Sequence, residues 1–247
     1  MAVLPTLQRV FALILVAALA AAGLLALTSD AGAARAKTLG KTKRSPAPEC
    51  PRSPCEAVGR TTGLQLMADG RRAPFKAREA GSLVAWAIEV SKPRESQRSF
   101  FGEFYESTQL GTDPTARISV LRRSGEGRRY KLKGQGPIID LSSSLGSRQT
   151  FTLTDPLRLR KGDFVALTIP TWAPAFAVDL AGRANRWRSS RLDGACTGRG
   201  DIKKGKPHQK VGSKREYGCD YSGARLLYWG YYTPRGGDGG GNQGGGA

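Results

Sequence analysis

The sequence predicts an all-β fold: a single β-sandwich, jelly-roll-like, with a basic loop that is closed by a disulfide. Three observations predict it. Short apolar runs alternate with polar residues, turn residues separate these runs, and no window of helical length after the N-terminal apolar run shows a 3.6-residue period. Several short strands separated by turns are typical of sandwiches and barrels.

The first clear strand is the run SLVAWAIEV at residues 82–90. Its alternation places Val84, Trp86 and Ile88 on one face and Leu83 on the other. A strand with this pattern packs one face on a core.

The next strands form a predicted hairpin. ARISVLRR at 116–123 and RRYKLKG at 128–134 flank the turn SGEG at 124–127, and apolar residues alternate with basic ones on both sides. Further strands follow in QTFTLT (149–154), in LRLRKGDFVALTIP (157–170), where Lys-Gly-Asp forms a turn, and then in AFAVDLAG and ARLLYWGYY.

The two ends of the chain differ from the middle in composition. Val10 to Leu27 is an unbroken apolar run preceded by Arg9, and Ala31 and Ala33 are small residues before a cut after Ala33. This predicts a signal peptide at 1–33 and a secreted protein. The alternative is an uncleaved anchor at 10–27 with the domain outside the membrane, which is the one membrane contact we expect.

Three further segments complete the predicted organisation. Residues 34–49 are basic and poor in apolar side chains, which predicts a flexible linker. Residues 50–234 form the β-sandwich domain. Residues 235–247 are dominated by glycine, which predicts a disordered tail.

The four cysteines fall into two local pairs, Cys50 with Cys55 and Cys196 with Cys219. An even number of cysteines in an exported chain favours two disulfides, and the local pairing is the one we predict among three possible connectivities. A zinc site would favour closer C-x-x-C pairs, so we predict no metal and no cofactor.

The charge balance favours anionic partners. The chain holds 39 basic and 20 acidic residues, a formal net charge of +19. Such an excess attracts polyanions at long range. Export disfavours nucleic acid and leaves anionic or sugar-containing polymers of the cell envelope, although a bias in composition with solvated arginines would give the same count.

An arginine-rich run is the predicted binding surface. RANRWRSSR at 183–191 contains no acidic residue, and Trp172 in TWAPAF is a second aromatic candidate. Arginine binds phosphate or carboxylate through two N–H groups, and tryptophan offers a stacking face. The predicted binding residues are Arg183, Arg186, Trp187, Arg188, Arg191 and Trp172. The alternative is that Trp187 fills the core while the arginines contact water.

Catalytic residues are scarce in this sequence. His208 is the single histidine, which excludes multi-histidine metal sites, and it lies in a loop without a nucleophile elbow. Glu103 and Glu106 could form a carboxylate pair, but in a strand their spacing places them on opposite faces. We therefore expect a secreted, non-catalytic module that binds an anionic or sugar-containing polymer of the cell envelope or the extracellular space. The alternatives are a carboxylate-dependent carbohydrate-active enzyme and a structural or protein-interaction module of the cell surface.

The segment between Cys196 and Cys219 carries seven basic and two acidic residues and few apolar ones. Its Arg-Gly-Asp triplet is weak evidence for adhesion, because a chain this rich in arginine and glycine has an appreciable chance of containing it, about 0.15 copies from composition alone. We expect a mobile basic excursion closed at its base, able to make electrostatic contacts.

Several runs resemble a group of exported actinobacterial proteins with no assigned activity. They are SLVAWAIEVSKP, SFFGEFYESTQLGTDPTARISVLRR, PLRLRKGDFVALTIPTWAPAFAV and NRWRSSR, within residues 82–195. The resemblance implies a secreted β-rich domain, and it carries over no activity and no catalytic residues.

Overall fold

The computed structural model describes residues 36–106 and 109–235. The described residues belong to the compact unit that spans 35–247. The predicted signal peptide at 1–33 and the Gly-rich tail after Arg235 lie outside them. Within the described residues, no helix is long and apolar enough to cross a membrane.

Fifteen strands follow one another along the described chain. They are β1 (Lys37–Leu39), β2 (Val58–Ala68), β3 (Arg71–Arg72), β4 (Gly81–Glu89), β5 (Thr115–Arg123), β6 (Arg129–Gln135), β7 (Ile139–Asp140), β8 (Arg148–Leu159), β9 (Phe164–Ala173), β10 (Phe176–Ala177), β11 (Arg186–Ser189), β12 (Lys214–Glu216), β13 (Cys219–Ser222), β14 (Arg225–Leu226) and β15 (Tyr228–Pro234). Two short α-helices, α1 (Glu95–Phe104) and α2 (Arg199–Lys204), and a 3-10 turn at Ser142–Ser144 lie between them.

The strands form two principal antiparallel sheets. Sheet 1 has the order β1-β15-β4-β8, and sheet 2 has the order β12-β6-β5-β9-β2-β11-β13. The short strands β3 and β7 pair with β2 and β5, and β10 pairs with β14. The chain repeatedly changes sheets, from β2 to β4 to β5 and again from β8 to β9 to β15, as jelly-roll-like sandwiches do.

The main core lies between the two sheets and confirms the predicted sandwich. Trp86 and Ile88 of sheet 1 pack in one buried cluster with Ile118 and Leu167 of sheet 2. Tyr228 donates a hydrogen bond from its hydroxyl to the carbonyl of a β9 residue at 3.1 Å, which links the sheets through a polar contact. Trp86 and Ile88, which the alternation places on one face of β4, thus lie together in the core.

One detail of β4 differs from the predicted alternation. Leu83 joins Trp86 and Ile88 in the main core, and Val84 is only half-buried. The pairing with β8 shifts at this point, because Leu83 lies opposite Leu157 while the next paired residue of β4 lies opposite Thr152. The irregularity changes which face each side chain occupies.

The predicted flexible linker at 34–49 is wrong for most of its length. β1 pairs with β15 at the edge of sheet 1. Arg225, which is buried, donates hydrogen bonds to the carbonyl of Arg44 and to the Thr42 hydroxyl at 3.1 and 3.0 Å. The sandwich therefore begins near residue 37 rather than at residue 50.

A helix occurs where the sequence predicted none. α1 buries only Phe101 and Gly102, so its apolar period is too weak to identify from the sequence. Its first turn is stabilised because the backbone N–H of Arg94 donates to the Gln97 side chain at 2.7 Å, in the manner of a capping box.

Both predicted disulfides are confirmed. Cys50 bonds to Cys55 and Cys196 bonds to Cys219, with Cα–Cα distances of 4.5 and 5.3 Å. The described residues contain no free cysteine. The second disulfide joins the segment after β11 to β13 and closes the basic loop at its base.

The basic loop is attached to the sandwich, so the expectation of a mobile excursion is wrong, although most of its described residues are exposed. Tyr217 is fully buried and belongs to a second apolar cluster with Leu64, Leu132 and Ala166. Ala166 lies between two β9 residues whose side chains belong to the main core, so this cluster occupies the opposite, outer face of sheet 2. The loop covers that face, and β12 extends the sheet beside β6.

Candidate functional site

The structure does not form the predicted arginine–tryptophan surface. Trp187 is 2% exposed and stacks on Tyr221 with ring centroids 4.4 Å apart. Trp172 is 1% exposed and donates from Nε1 to the Thr112 carbonyl at 2.7 Å. Both rings are buried, so the part of the alternative in which Trp187 fills the core is correct, although an edge of each ring lines a surface cavity.

The four predicted arginines do not share one free surface. Arg188 holds Asp220 with two hydrogen bonds of 2.6 and 2.8 Å. Arg191 is buried, whereas Arg183 and Arg186 are exposed. In β11 the side chains of Arg186 and Arg188 face the side opposite to Trp187, and Arg183 and Arg191 lie outside the strand.

A basic groove lies beside the basic loop, where the start of β2 meets the end of β9. It is a cavity of about 740 Å³. Five basic side chains line it and no carboxylate does. Its lining residues are Arg60, Gln109, Leu110, Pro170, Lys206, Pro207, His208, Gln209, Lys210, Ser213, Lys214 and Arg215.

The wall of this groove is held by hydrogen bonds to sheet 2. The backbone N–H of His208 donates to the Thr62 hydroxyl at 3.0 Å, and Gln135 donates from Nε2 to the His208 carbonyl at 3.0 Å. Both contacts reach strands of sheet 2 from the middle of the loop. The lysines that follow in the loop are therefore presented from a fixed backbone.

The two arginines of the groove brace it. Arg60 donates from Nε to the Gly205 carbonyl at 3.0 Å and from Nη1 to the Glu106 carbonyl at 2.7 Å. Arg215 donates from Nη1 to the Lys206 carbonyl. Arg60 has a φ of 48°, a left-handed conformation that non-glycine residues adopt rarely and that the surrounding contacts must hold.

The three lysines of the groove are placed differently. The side chains of Lys206, Lys210 and Lys214 make no ion pair or hydrogen bond to other described residues. All three are exposed. Their ammonium groups are available to a ligand, while the arginines hold the backbone on which they stand.

His208 forms a buried polar array with two neighbours. Its Nε2 lies 2.9 Å from the Ser213 hydroxyl and its Nδ1 lies 3.3 Å from the Tyr217 hydroxyl. Ser213 donates its own proton to the Lys210 carbonyl at 2.6 Å, which assigns the Nε2 proton to His208. Burial, together with the positive charge of Arg215, lowers the pKa of His208 to about 4.

This array is suited to holding the loop rather than to activating a nucleophile. A serine nucleophile needs an imidazole that accepts its proton, whereas here the imidazole donates to Ser213 and the serine proton goes to a carbonyl. Neutral His208 thus contacts Tyr217, the residue of the same loop that enters the second apolar cluster.

A second cavity, of about 440 Å³, lies at another part of the surface and contains residues that the sequence did not indicate. Trp187 and Arg191 line it together with Tyr221, and Glu56 and Asp179 contribute carboxylates. Burial and the negative charges of Asp179 and Glu49 raise the pKa of Glu56. Apart from its position after Cys55, no feature of the sequence indicates Glu56 as a functional residue.

The carboxylate pair considered from sequence is not assembled. Glu103 lies on α1 and lines a cavity of about 290 Å³ with Glu95 and Asp113. Glu106 follows the helix, is not among the residues of that cavity, and contacts Arg60 through its carbonyl. Within residues 36–106 and 109–235, no group of three or more His, Cys, Asp or Glu side chains is arranged to hold a metal ion.

No protein-family model, curated protein or solved structure matches this chain. The resemblance to exported actinobacterial proteins stays a prediction.

Proposed function

We propose that the protein is an exported, non-catalytic module that binds an anionic polymer of the cell envelope in the basic groove. The observation that carries the proposal is the groove's charge. Five basic side chains line a cavity of about 740 Å³ with no carboxylate among them. The proposal keeps the class of ligand expected from composition and moves the site from the arginine-rich run to the basic loop.

Electrostatics supports this choice of site. A concave surface lined by one sign of charge focuses its field and raises the local concentration of counter-ions. The net charge of +19 adds long-range attraction to the same ligands. Because exposed charges are screened by salt, binding at this groove should weaken steeply as ionic strength rises.

Two features support export. Both disulfides are the kind of crosslink that forms and persists in an oxidising compartment. The predicted signal peptide at 1–33 would deliver the chain there. The ligands available outside the cell include phosphate-containing polymers and acidic polysaccharides, and both have the charge that the groove requires.

The test compares two variants of equal net charge. In the groove variant, Lys206, Lys210 and Lys214 are changed to alanine. In the control variant, three exposed lysines that do not line the groove are changed to alanine. They are Lys41, Lys43 and Lys161. Binding is measured with fluorescent long-chain polyphosphate and with fluorescent polygalacturonate at low salt.

We expect the groove variant to lose affinity by about tenfold or more, because three direct cation contacts disappear, and the control variant to lose far less. Equal losses in the two variants would show that net charge alone acts. No binding of either polymer by the unaltered protein at low salt would overturn the proposal.

A carboxylate-dependent enzyme acting on glycans is the second candidate. Its supporting observation is the cavity with Glu56 and Asp179, where the raised pKa of Glu56 is the property of a general acid. Glycan turnover that is abolished by Glu56→Gln, with the fold retained, would establish it. An absence of turnover across a panel of acidic and neutral glycans would exclude it.

A further inference from the structure

A smaller cavity of about 320 Å³ adjoins the basic groove. The two cavities share the side chains of Lys206 and Arg215 as a common wall. The smaller cavity adds Arg191 and Lys204, so four of its lining residues are basic and none is acidic. Its lining residues are Ser190, Arg191, Leu192, Ala195, Lys204, Gly205, Lys206 and Arg215.

Arg191 is a buried arginine that adds a positive charge to the lining of this cavity. It is 7% exposed, and it is held by hydrogen bonds from Nη1 to the Tyr221 hydroxyl at 2.9 Å and from Nη2 to the Gly59 carbonyl at 2.8 Å. Its Nε is buried and has no hydrogen-bond partner among the described residues. A buried donor without an acceptor is costly, so it favours a ligand that supplies an oxygen.

We propose that the groove and the adjoining cavity are two subsites for one linear, phosphate-bearing chain. The inference rests on the proposed function and deepens it by naming the ligand class. A single small anion would occupy one cavity, whereas a chain that crosses the wall of Lys206 and Arg215 contacts the basic residues of both. Two linked contacts act at a high effective concentration, so a chain gains affinity over its isolated unit.

The donor set favours phosphate over carboxylate. The guanidinium groups of all three arginines in the two cavities already donate hydrogen bonds to protein oxygens, so fewer of their N–H groups are free for a ligand. These arginines are Arg60, Arg191 and Arg215. Carboxylates are bound best by a free arginine fork with two parallel hydrogen bonds. Lysine acts as a point charge with rotatable donors, which suits the tetrahedral oxygens of phosphate, and four lysines line the two subsites.

The lining also disfavours a nucleic acid chain. Neither cavity has a Phe, Tyr or Trp among its lining residues. Proteins that bind single strands without sequence preference rely on aromatic side chains for base stacking. The ligand we infer is therefore a phosphate chain without bases, either a free polyphosphate or a phosphodiester-linked polyol.

The experiment measures the dependence of affinity on chain length by calorimetry at constant ionic strength. The probes are tripolyphosphate, long-chain inorganic polyphosphate and a synthetic glycerol phosphodiester oligomer. We expect both long probes to bind at least about tenfold more tightly than tripolyphosphate per phosphate group. Tighter binding of one long probe identifies whether the natural source is polyphosphate or a phosphodiester polymer.

Two single variants separate the subsites. Lys204 lines only the smaller cavity and Lys210 only the groove. We expect Lys204→Ala and Lys210→Ala each to weaken binding of the long probes several-fold and to lower the slope of log affinity against log salt by about 0.7, the loss for one contact with a flexible polyanion. The affinity for tripolyphosphate should fall in only one of the two variants, because so short a chain occupies one subsite.

Three outcomes would overturn the inference. They are long probes that bind no better per phosphate than tripolyphosphate, a Lys204→Ala variant with unchanged affinity for the long probes, and binding of polygalacturonate without binding of any phosphate chain. In each of these cases the groove lysines can still bind an anionic polymer, so the proposed function would stand. If the unaltered protein binds none of these polymers, both the inference and the proposed function are overturned.

Discussion

The buried histidine makes the stability of this protein depend on pH in a defined window. His208 is 3% exposed and has a pKa lowered to about 4, whereas an unfolded histidine titrates near 6.5. Between these two values the unfolded chain binds a proton that the folded chain does not. Its contribution to stability is therefore complete above pH 6.5 and is lost as the pH falls towards 4.

The magnitude follows from the size of the pKa shift. The difference between 6.5 and about 4 corresponds to about 3 kcal/mol, at 1.36 kcal/mol for each pH unit. His208 also lines the basic groove, so solvent reaches the edge of its surroundings and screens the charge. We therefore expect a loss of about 2 kcal/mol from this residue between pH 7 and pH 4.

The assay is urea unfolding at a series of pH values, with the free energy of unfolding taken by linear extrapolation. The control is His208→Gln, because carboxylates also titrate near pH 4 and contribute equally in both proteins. The free-energy curve of the unaltered protein should fall more steeply than that of the variant across this window. Parallel curves, or a histidine that titrates near pH 6.5 by NMR, would refute the reasoning.

Three further predictions concern packing. Gly59→Ala would place a Cβ inside a buried tyrosine ring, so the free energy of unfolding should fall by about 1–3 kcal/mol, whereas Gly200→Ala, with open space around its Cβ, should change little in the same thermal melts. Replacing both cysteines of the Cys196–Cys219 disulfide by serine should lower the free energy of unfolding by about 3 kcal/mol. It should also weaken polyphosphate binding, because the loop that carries the groove lysines is released. An unchanged free energy of unfolding would contradict this prediction. Trp187→Ala should cost about 3–5 kcal/mol in denaturant unfolding, and a loss below about 0.5 kcal/mol would show that the ring lies on the surface.

Local alternation was enough to predict the sandwich. Trp86 and Ile88 are two residues apart and both enter the main core, as a half-buried strand requires. The position of Val84 could not be predicted in the same way. It depends on a pairing irregularity with β8, a strand more than fifty residues later in the chain, and the sequence of β4 alone does not contain that information.

The basic loop shows a different limit of sequence interpretation. Its own composition is too polar for a core, and this observation led to the expectation of a solvated excursion. The apolar surface that it covers comes from distant strands, through Leu64 of β2 and Leu132 of β6. Two apolar residues of the loop, Tyr217 and Ile202, pack on clusters that the rest of the fold has formed. Hydrogen bonds to Thr62 and Gln135 add to this attachment.

The predicted arginine–tryptophan surface is not formed for a related reason. Residues 183–191 combine arginine and tryptophan in sequence, but alternation in β11 separates them in space. The groove is assembled instead from Arg60 in β2 and from lysines more than 140 residues later. The excess of positive charge was visible in the composition, whereas its concentration at one cavity depends on the tertiary fold.

The early entry of the chain into sheet 1 has a practical consequence for anyone who shortens the protein. The predicted cleavage after Ala33 would leave three residues before β1, so almost no spacer separates the mature terminus from the fold. A chain started at Cys50 would lack β1, would leave the backbone of β15 unpaired along one side, and would remove two acceptors from buried Arg225. Unpaired edges recruit strands from other molecules, so such a chain should self-associate during purification.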